Sequence, residues 1–364
     1  MSKSIIEIFE SLPEPRRGNA IRHNLIDVIT IGILSIICGY DDYTEMELFG
    51  QMKRDWLRDF LELPCGIPSH DTFGDIFAAI NPVHFHKCFA EWVDGVRENI
   101  GCEVIAVDGK TIRGSRDIAK GKRATHIVSA WAAENRLVLG QIATDEKSNE
   151  ITAIPQLLEL LELKGCIVTI DAMGCQKTIA EKIVECDADY VLGLKANQQE
   201  LHDDVRFYFE NEVATAATIT HDKGHGRIET REYRLETDTS WLHQRSEWAG
   251  LRSIGMVKSS VIEKDVLREE KRYFITSLTC VDQFAKAVRT HWGIENSLHW
   301  CLDVTFGEDT CRARTGNAAE NLNTMRHLAL GLLKNENSVK SSLKLKRKRC
   351  ALSTDYLLKV LGGS

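Results

Sequence analysis

Ile167–Gln176 reads IVTIDAMGCQ, four strand-forming apolar or β-branched residues that stop abruptly at an aspartate, Asp171. A run of this length and composition is a short buried strand. The pattern occurs a second time in Glu103–Ser115, EVIAVDGKTIRGS, where the apolar run ends at Asp108. Two core strands that each end on a carboxylate raise one question, whether the chain brings the two ends together.

The segments between and after them answer it. THIVSAWAA and RLVLGQIAT follow the first run as two further strands joined by a Glu134-Asn135 turn. NEITAIPQLLELLEL then reads as a helix interrupted near Pro155. Beyond Asp171 come a helix (QKTIAEKIVEC), a strand (DYVLGLK) and a helix (NQQELHDDVRFYFE). Three meandering strands followed by alternating helices and strands are the order of a ribonuclease-H-like α/β core. In such a sheet the first and fourth strands lie side by side, so Asp108 and Asp171 should be neighbours.

Around this core the chain divides by texture. Residues 1–98 are expected to form an all-helical N-terminal domain, with Asn24, Ser69 or Asp71, and Asn81-Pro82 as helix starts. Residues 99–212 form the first part of the core. Residues 213–281 read as a β-rich insertion, because ATAATIT, RIETREYRLET, LRSIGMVKSSVIE and KRYFITSL replace the alternation. Residues 282–335 complete the core with the helix FAKAVRTHWGIENSLHW, and residues 336–364 are a basic C-terminal tail.

With 364 residues, 43% hydrophobic and 27% charged, the chain has the composition of a globular protein with a large core. Its 11 cysteines are scattered and none form C-x-x-C, which fits reduced thiols in a cytoplasmic protein rather than disulfides or a zinc knuckle. LIDVITIGILSIICGY, from Leu25, is too short to span a bilayer and carries Asp27, so a core helix and no membrane partner are expected. The net charge of −7 excludes a protein that simply coats nucleic acid. Residues 1–98 hold nine Lys/Arg against 16 Asp/Glu, whereas Gly109–His126 hold six basic residues and one acidic, and 336–364 seven and two. Basic density thus lies beside Asp108 and at the C-terminus.

Adjacent aspartates in a low-dielectric setting repel unless a cation lies between them. Oxygen-only ligation favours Mg²⁺ or Mn²⁺, and two such ions about 3.5–4 Å apart suit phosphodiester chemistry. A third carboxylate is wanted, and Glu295 in HWGIENSLHW is the candidate, as an acid on a largely apolar helix. The plainer alternatives are that Asp108-Gly109 is a turn, that Asp171 caps the next helix, and that Glu295 pairs with Arg289. His291, Glu295 and His299 also fall at i, i+4 and i+8, a spacing that would suit zinc but lacks the H-E-x-x-H order. The histidines fit contacts to phosphate or a leaving group better.

AVDGKTIRGS, GQIATDEKSNEITAIPQLL, TIDAMGCQKTIAEKI, HWGIENSLHW with LDVTFGED, and RTGNAAENLNTMRHLAL together resemble the H-repeat-associated (ISAs-type) insertion-sequence transposases of bacteria, within the DDE superfamily. The similarity runs over nearly the whole chain. It implies a DDE transposase using Mg²⁺ (or Mn²⁺), with two ions held by Asp108, Asp171 and Glu295. It implies double-stranded DNA as partner, both the element's terminal repeats and the target, and a homo-oligomer when two ends are synapsed. Related enzymes place Tyr, Arg and Lys at −7, −4 and +7 from the glutamate; here those positions are Val288, His291 and Leu302. Phosphate contacts are therefore expected from Lys110, Arg113, Arg116, Arg289, His291, His299, Arg312 and Arg314. The competing readings are a ribonuclease-H-like nuclease or resolvase without strand transfer, and a DNA-binding relic with a dead site.

Overall fold

A computed structural model of the chain describes residues 5–18, 21–96, 103–144, 150–212, 216–224 and 227–362. Before the first strand it is helical: α1 (Ile5–Phe9), α2 (Leu25–Cys38), α3 (Tyr43–Met52), α4 (Arg54–Leu57), α5 (His70–Ala79) and α6 (Pro82–Val96). Ser69, rather than Asp71, caps α5, its hydroxyl accepting from Thr72 N–H at 3.4 Å. A capping box built from Asp42 and Glu45 starts α3. Helix α2 is buried from Asp27 to Cys38, as a core helix should be. No described helix is long and apolar enough to cross a membrane.

The strands are β1 (Val104–Ile112), β2 (Thr125–Ala132), β3 (Leu137–Ala143), β4 (Ile167–Ile170) and β5 (Asp189–Leu194), with helices α7 (Glu150–Glu159), α8 (Lys177–Glu185) and α9 (Gln199–Asn211) between or after them. Pro155 sits inside α7 without interrupting it. Pro155 is the sixth of ten residues, so one interior N–H is missing, and the packing of Ala153, Ile154, Leu157 and Leu158 holds the helix together despite it. Four longer strands follow, β6 (Ala216–Gly224), β7 (Arg227–Glu236), β8 (Ser253–Glu263) and β9 (Val266–Thr276). All nine make one sheet, ordered β3-β2-β1-β4-β5-β9-β8-β7-β6. β1 runs parallel to β4 with Val107 opposite Ile170; β9 joins β5 antiparallel. The strands after α9 thus extend the sheet rather than forming a separate body.

Helices α7 and α8 cover one face of the sheet. The other is covered by α10 (Val281–Ile294) and α11 (Ala318–Asn335), and α11 packs also on α2, α5 and α6. One continuous apolar core therefore runs from α2 through α11 into the sheet. A second cluster lies where α10 meets Tyr233, Val257 and Phe274 of the added strands.

The C-terminal segment is not a solvated tail. It folds as α12 (Leu343–Leu352) and α13 (Thr354–Val360). Lys346 is 6% and Arg347 4% exposed. Lys346 Nζ donates to Leu333 O at 2.9 Å. Arg347 donates to Ile36 O and Thr305 O, pairs with Asp41, and stacks 4.2 Å over Phe306. Only Lys340, Lys344, Lys348, Arg349 and the flank of α13 offer basic surface there. All ten described cysteines are free thiols, with Cys65 and Cys280 exposed.

Candidate active site

Register decides the first two carboxylates. Val107 pairs with Ile170 across parallel strands, so Asp108 and Asp171, each the next residue, lie side by side. Asp171 follows the end of β4, whereas Asp108 is mid-strand, because β1 continues to Ile112 against β2 rather than ending at the aspartate as its apolar run does. The two side chains hydrogen-bond locally. Asp108 Oδ1 accepts from Gly109 N–H at 2.9 Å. Asp171 caps the single turn Ala172–Gly174, accepting from Met173 N–H at 3.0 Å. The alternative foreseen, that Asp171 caps the next helix, does not hold, since α8 starts after Gln176; the aspartate caps the short turn before it and is adjacent to Asp108 as well.

Glu295 does not sit in the middle of a regular helix. It follows the last residue of α10, at the head of a π-helical stretch, Glu295–His299, succeeded by another, Cys301–Thr305. Trp300 N–H bonds back to Glu295 O and Phe306 N–H to Cys301 O. π-turns of this kind are rare and cluster at functional sites. His291, Glu295 and His299 are not among any described group of three that could hold a metal ion, which disposes of the zinc alternative as the side chains stand. The Glu295 side chain is exposed, not buried among apolar neighbours, so the cost of a buried acid is not what marks it.

Its position does. Burial pushes the Asp108 carboxyl up to about 7, against the opposing Gly109 N–H, and the charges of Asp171, Glu150 and Glu295 push the same way. Four carboxylates therefore share one field. Asp108 is 19% exposed, and His299 Nδ1 stands 3.5 Å from its Oδ2. Burial, then the Lys110 ammonium, holds His299 at about 4, so near neutral pH that contact is made by an uncharged ring and is not an ion pair. His291 is kept low by burial, with Asp171 opposing; its Nδ1 shares a 3.0 Å hydrogen bond with Thr169 Oγ1, two residues before Asp171.

The basic residues sort into two groups. Lys110 is not open to a phosphate: its side chain is 13% exposed and its ammonium is held by Asp303 at 2.6 Å, by the fully buried Glu308, and by Asp309 at 3.7 Å. Arg314 Nε donates to Gly114 O at 3.1 Å and ties the loop after β1 to the segment before α11. Arg113 is 83% exposed, 3.5 Å from Asp309. Arg116 and Arg312 are exposed, and Arg289 is half exposed, paired with Asp222 at 3.0 Å.

Sequence reasoning missed a second set. Trp292 lies between the guanidinium groups of Arg231 and Arg272, at 5.2 and 5.0 Å from its ring centroid. With Arg227, Arg268, Glu295 and four further glutamates (Glu229, Glu263, Glu269 and Glu270) they line a cavity of about 490 Å³, in which Arg231 is held by Asp222 and Glu229 and Arg272 by Glu270. The period-two placement of Arg227, Glu229 and Arg231 along β7 was the available signal. Glu150 was missed as well, although it stands in the quoted segment SNEITAIP.

As the side chains stand, no three described His, Cys, Asp or Glu groups converge on a single ion position. In kind the donor set fits a hard divalent cation: four carboxylates in one field, with the central one resisting ionisation. Gly109 supplies a cradle there, since a Cβ at that position would lie 2.1 Å from Glu150 Oε1.

Residues 101–332 match the family model described as "Transposase DDE domain", and residues 6–93 match the model "DDE_Tnp_1-associated". The chain is 41% identical over 368 residues to "Putative transposase YncI" of Escherichia coli O157:H7, covering 99% of this chain and 94% of that one. It is 38% identical over 372 residues to "H repeat-associated putative transposase YhhI" of Escherichia coli K12, covering 100% and 98%. A solved piggyBac transposase synaptic complex with hairpin DNA aligns over 98% of this chain and 75% of that one, at 12% identity and a TM-score of 0.45.

Proposed function

The chain belongs to the DDE transposase family, and from that premise we propose that it catalyses metal-dependent DNA strand cleavage and strand transfer at the ends of its own insertion sequence. The observation that carries this reading is the pairing of Val107 with Ile170, which sets Asp108 and Asp171 side by side within the field of Glu295. In the same reading residues 99–212 and 282–335 make a ribonuclease-H-like core, 213–281 its β-rich insertion, 1–98 a helical transposase-associated domain and 336–364 the closing basic segment.

Asp108, Asp171 and Glu295 would hold the divalent cations, Mg²⁺ or Mn²⁺, two in number. When bound, such ions activate the attacking oxygen and stabilise the departing one. The protein's own contribution is charge and position. Asp108 must give up its proton to act as a ligand. Uncharged His299 faces that carboxyl without competing for it as a cation would. His291, fixed by Thr169, fills the floor beside Asp171. Arg113, Arg116, Arg289 and Arg312 are left as phosphate contacts on double-stranded DNA, joined by the exposed Arg268 of the Trp292 cavity. Lys110 and Arg314 serve the scaffold.

The test is a labelled terminal-repeat duplex incubated with Mg²⁺ and a target plasmid. Asp108→Ala, Asp171→Ala and Glu295→Ala should each abolish cleavage while retaining DNA binding and a native circular-dichroism spectrum. Normal cleavage by all three would defeat the reading. Cleavage with no joined product would leave a nuclease without strand transfer.

A further inference from the structure

We propose that Glu150 is a fourth acidic residue of this site, aimed by a Thr111–His126 relay to lend a carboxylate oxygen to the cation that Asp108 holds. The inference rests on the reading of the site given above.

Glu150 is the first residue of α7, on the opposite face of the sheet from α10. An acid there has a plain structural use, complementing the positive end of the helix. Three features go beyond that use. First, β4 stops opposite Val107, so the β4-side edge of β1 is open at Asp108 and Gly109, and a side chain from the α7 face can reach the Asp108 level. Second, Gly109 carries no side chain where the Glu150 carboxylate passes: a Cβ would meet Oε1 at 2.1 Å and His126 Nε2 at 2.5 Å. Third, the carboxylate is aimed. His126 Nε2 lies 2.7 Å from Glu150 Oε1, and its Nδ1 lies 2.8 Å from Thr111 Oγ1.

The direction of those bonds follows from chemistry. An ionised carboxylate can only accept, so Nε2 carries the proton and donates to Oε1; in a neutral ring Nδ1 then accepts from the Thr111 hydroxyl. A histidine that anchors one carboxylate oxygen leaves the other, Oε2, to point elsewhere, which is how outer groups orient ligands at metal sites. Glu150 is 14% exposed, and among the charges acting on Asp108 it ranks ahead of Glu295.

The experiment is Mn²⁺ titration calorimetry on the full-length protein without DNA, comparing the parent with Asp108→Asn, Glu150→Gln, Glu150→Asp and Gly109→Ala. Glu150→Gln should weaken Mn²⁺ by about tenfold to a hundredfold. Gly109→Ala should match it, because the new methyl displaces the carboxylate. Glu150→Asp should recover part of the loss, and urea unfolding midpoints certify that each variant is folded. Parent-like Mn²⁺ affinity in both Glu150→Gln and Gly109→Ala, while Asp108→Asn loses it, would overturn the inference and spare the site. If Asp108→Asn binds Mn²⁺ like the parent, the reading of the site itself falls, and this inference with it.

Discussion

Asp108→Asn should make the metal-free protein more stable. The wild-type carboxyl is moved from its ordinary 3.8 up to about 7, first by burial and then by Asp171, Glu150 and Glu295. Its folded-state value is above its unfolded one, so its contribution is intact below about pH 4 and is lost as pH rises through about 7. At about 1.36 kcal/mol per decade, the passage from 3.8 to about 7 is worth about 4 kcal/mol. Asparagine keeps the acceptor for Gly109 N–H and removes the charge, so the variant escapes that loss. Urea unfolding in EDTA at pH 4 and pH 8 measures it. The variant should be close to wild type at pH 4 and more stable by up to about 4 kcal/mol at pH 8. Mn²⁺ should stabilise the wild type and not the variant, because a ligand that binds only the folded state raises its stability. A stability difference independent of pH, or a variant less stable at pH 8, would refute the electrostatic account of this site.

Arg347→Ala strips Asp41 and the Thr305 carbonyl of the guanidinium and leaves Ile36 O only its Gly39 N–H, and should lower unfolding free energy by about 3–5 kcal/mol. The adjacent exposed Lys348→Ala should change it by less than about 0.5 kcal/mol, and equal effects in urea melts would show that the C-terminal segment is not anchored as described. Lys110→Met strands the fully buried Glu308, whose remaining partner is Asn323, and should cost a similar 3–5 kcal/mol or so in the same assay; a stability near wild type would return Lys110 to the pool of phosphate ligands. Arg116→Ala and Arg268→Ala should each flatten the slope of log K for DNA against log salt by about 0.9 if each meets one phosphate, and an unchanged slope removes that residue from the interface. A chain begun at residue 99 should not give a cooperative urea transition, because it bares the α11 face that α2 and α5 cover.

Much of this site was legible because strands announce themselves by composition. The runs ending at Asp108 and Asp171, the meander between them and the alternation after them fix which strands pair, and the adjacency of the two aspartates follows. The four strands of 216–276 were legible for the same reason. What stayed hidden depends on partners distant in the chain. Nothing local in GKTIRGS says that Lys110 is claimed by Asp303, Glu308 and Asp309. A run such as KLKRKR reads as surface, yet Arg347 finds carbonyls at Ile36 and Thr305. The π-helical register after Ile294 has no cue either: it is a one-residue slip in backbone bonding, favoured by burying Leu298, Cys301 and Leu302, and hydrophobic spacing alone reads it as ordinary helix.

Gathering like charges is unfavourable, so the scaffold must hold the carboxylates where repulsion would spread them. Asp108 is fixed because β1 is paired on both sides up to Val107. Glu295 has no strand to hold it and depends on α10. That helix is anchored through Phe284, which meets Tyr233 of β7 edge-on at 6.5 Å and Phe274 of β9 at 5.5 Å. Phe284 fits only because β8 presents Gly255 beneath it: a Cβ there would lie 2.5 Å from the ring. The added strands therefore do more than widen the sheet. They form the floor on which α10 rests, and they deliver Arg231 and Arg272 to Trp292 three residues before Glu295. Position of the third carboxylate and the ion-paired wall of arginines and glutamates beside it thus come from one packing arrangement, which ties the β-rich segment to the chemistry although it contributes none of the three proposed metal-binding acids.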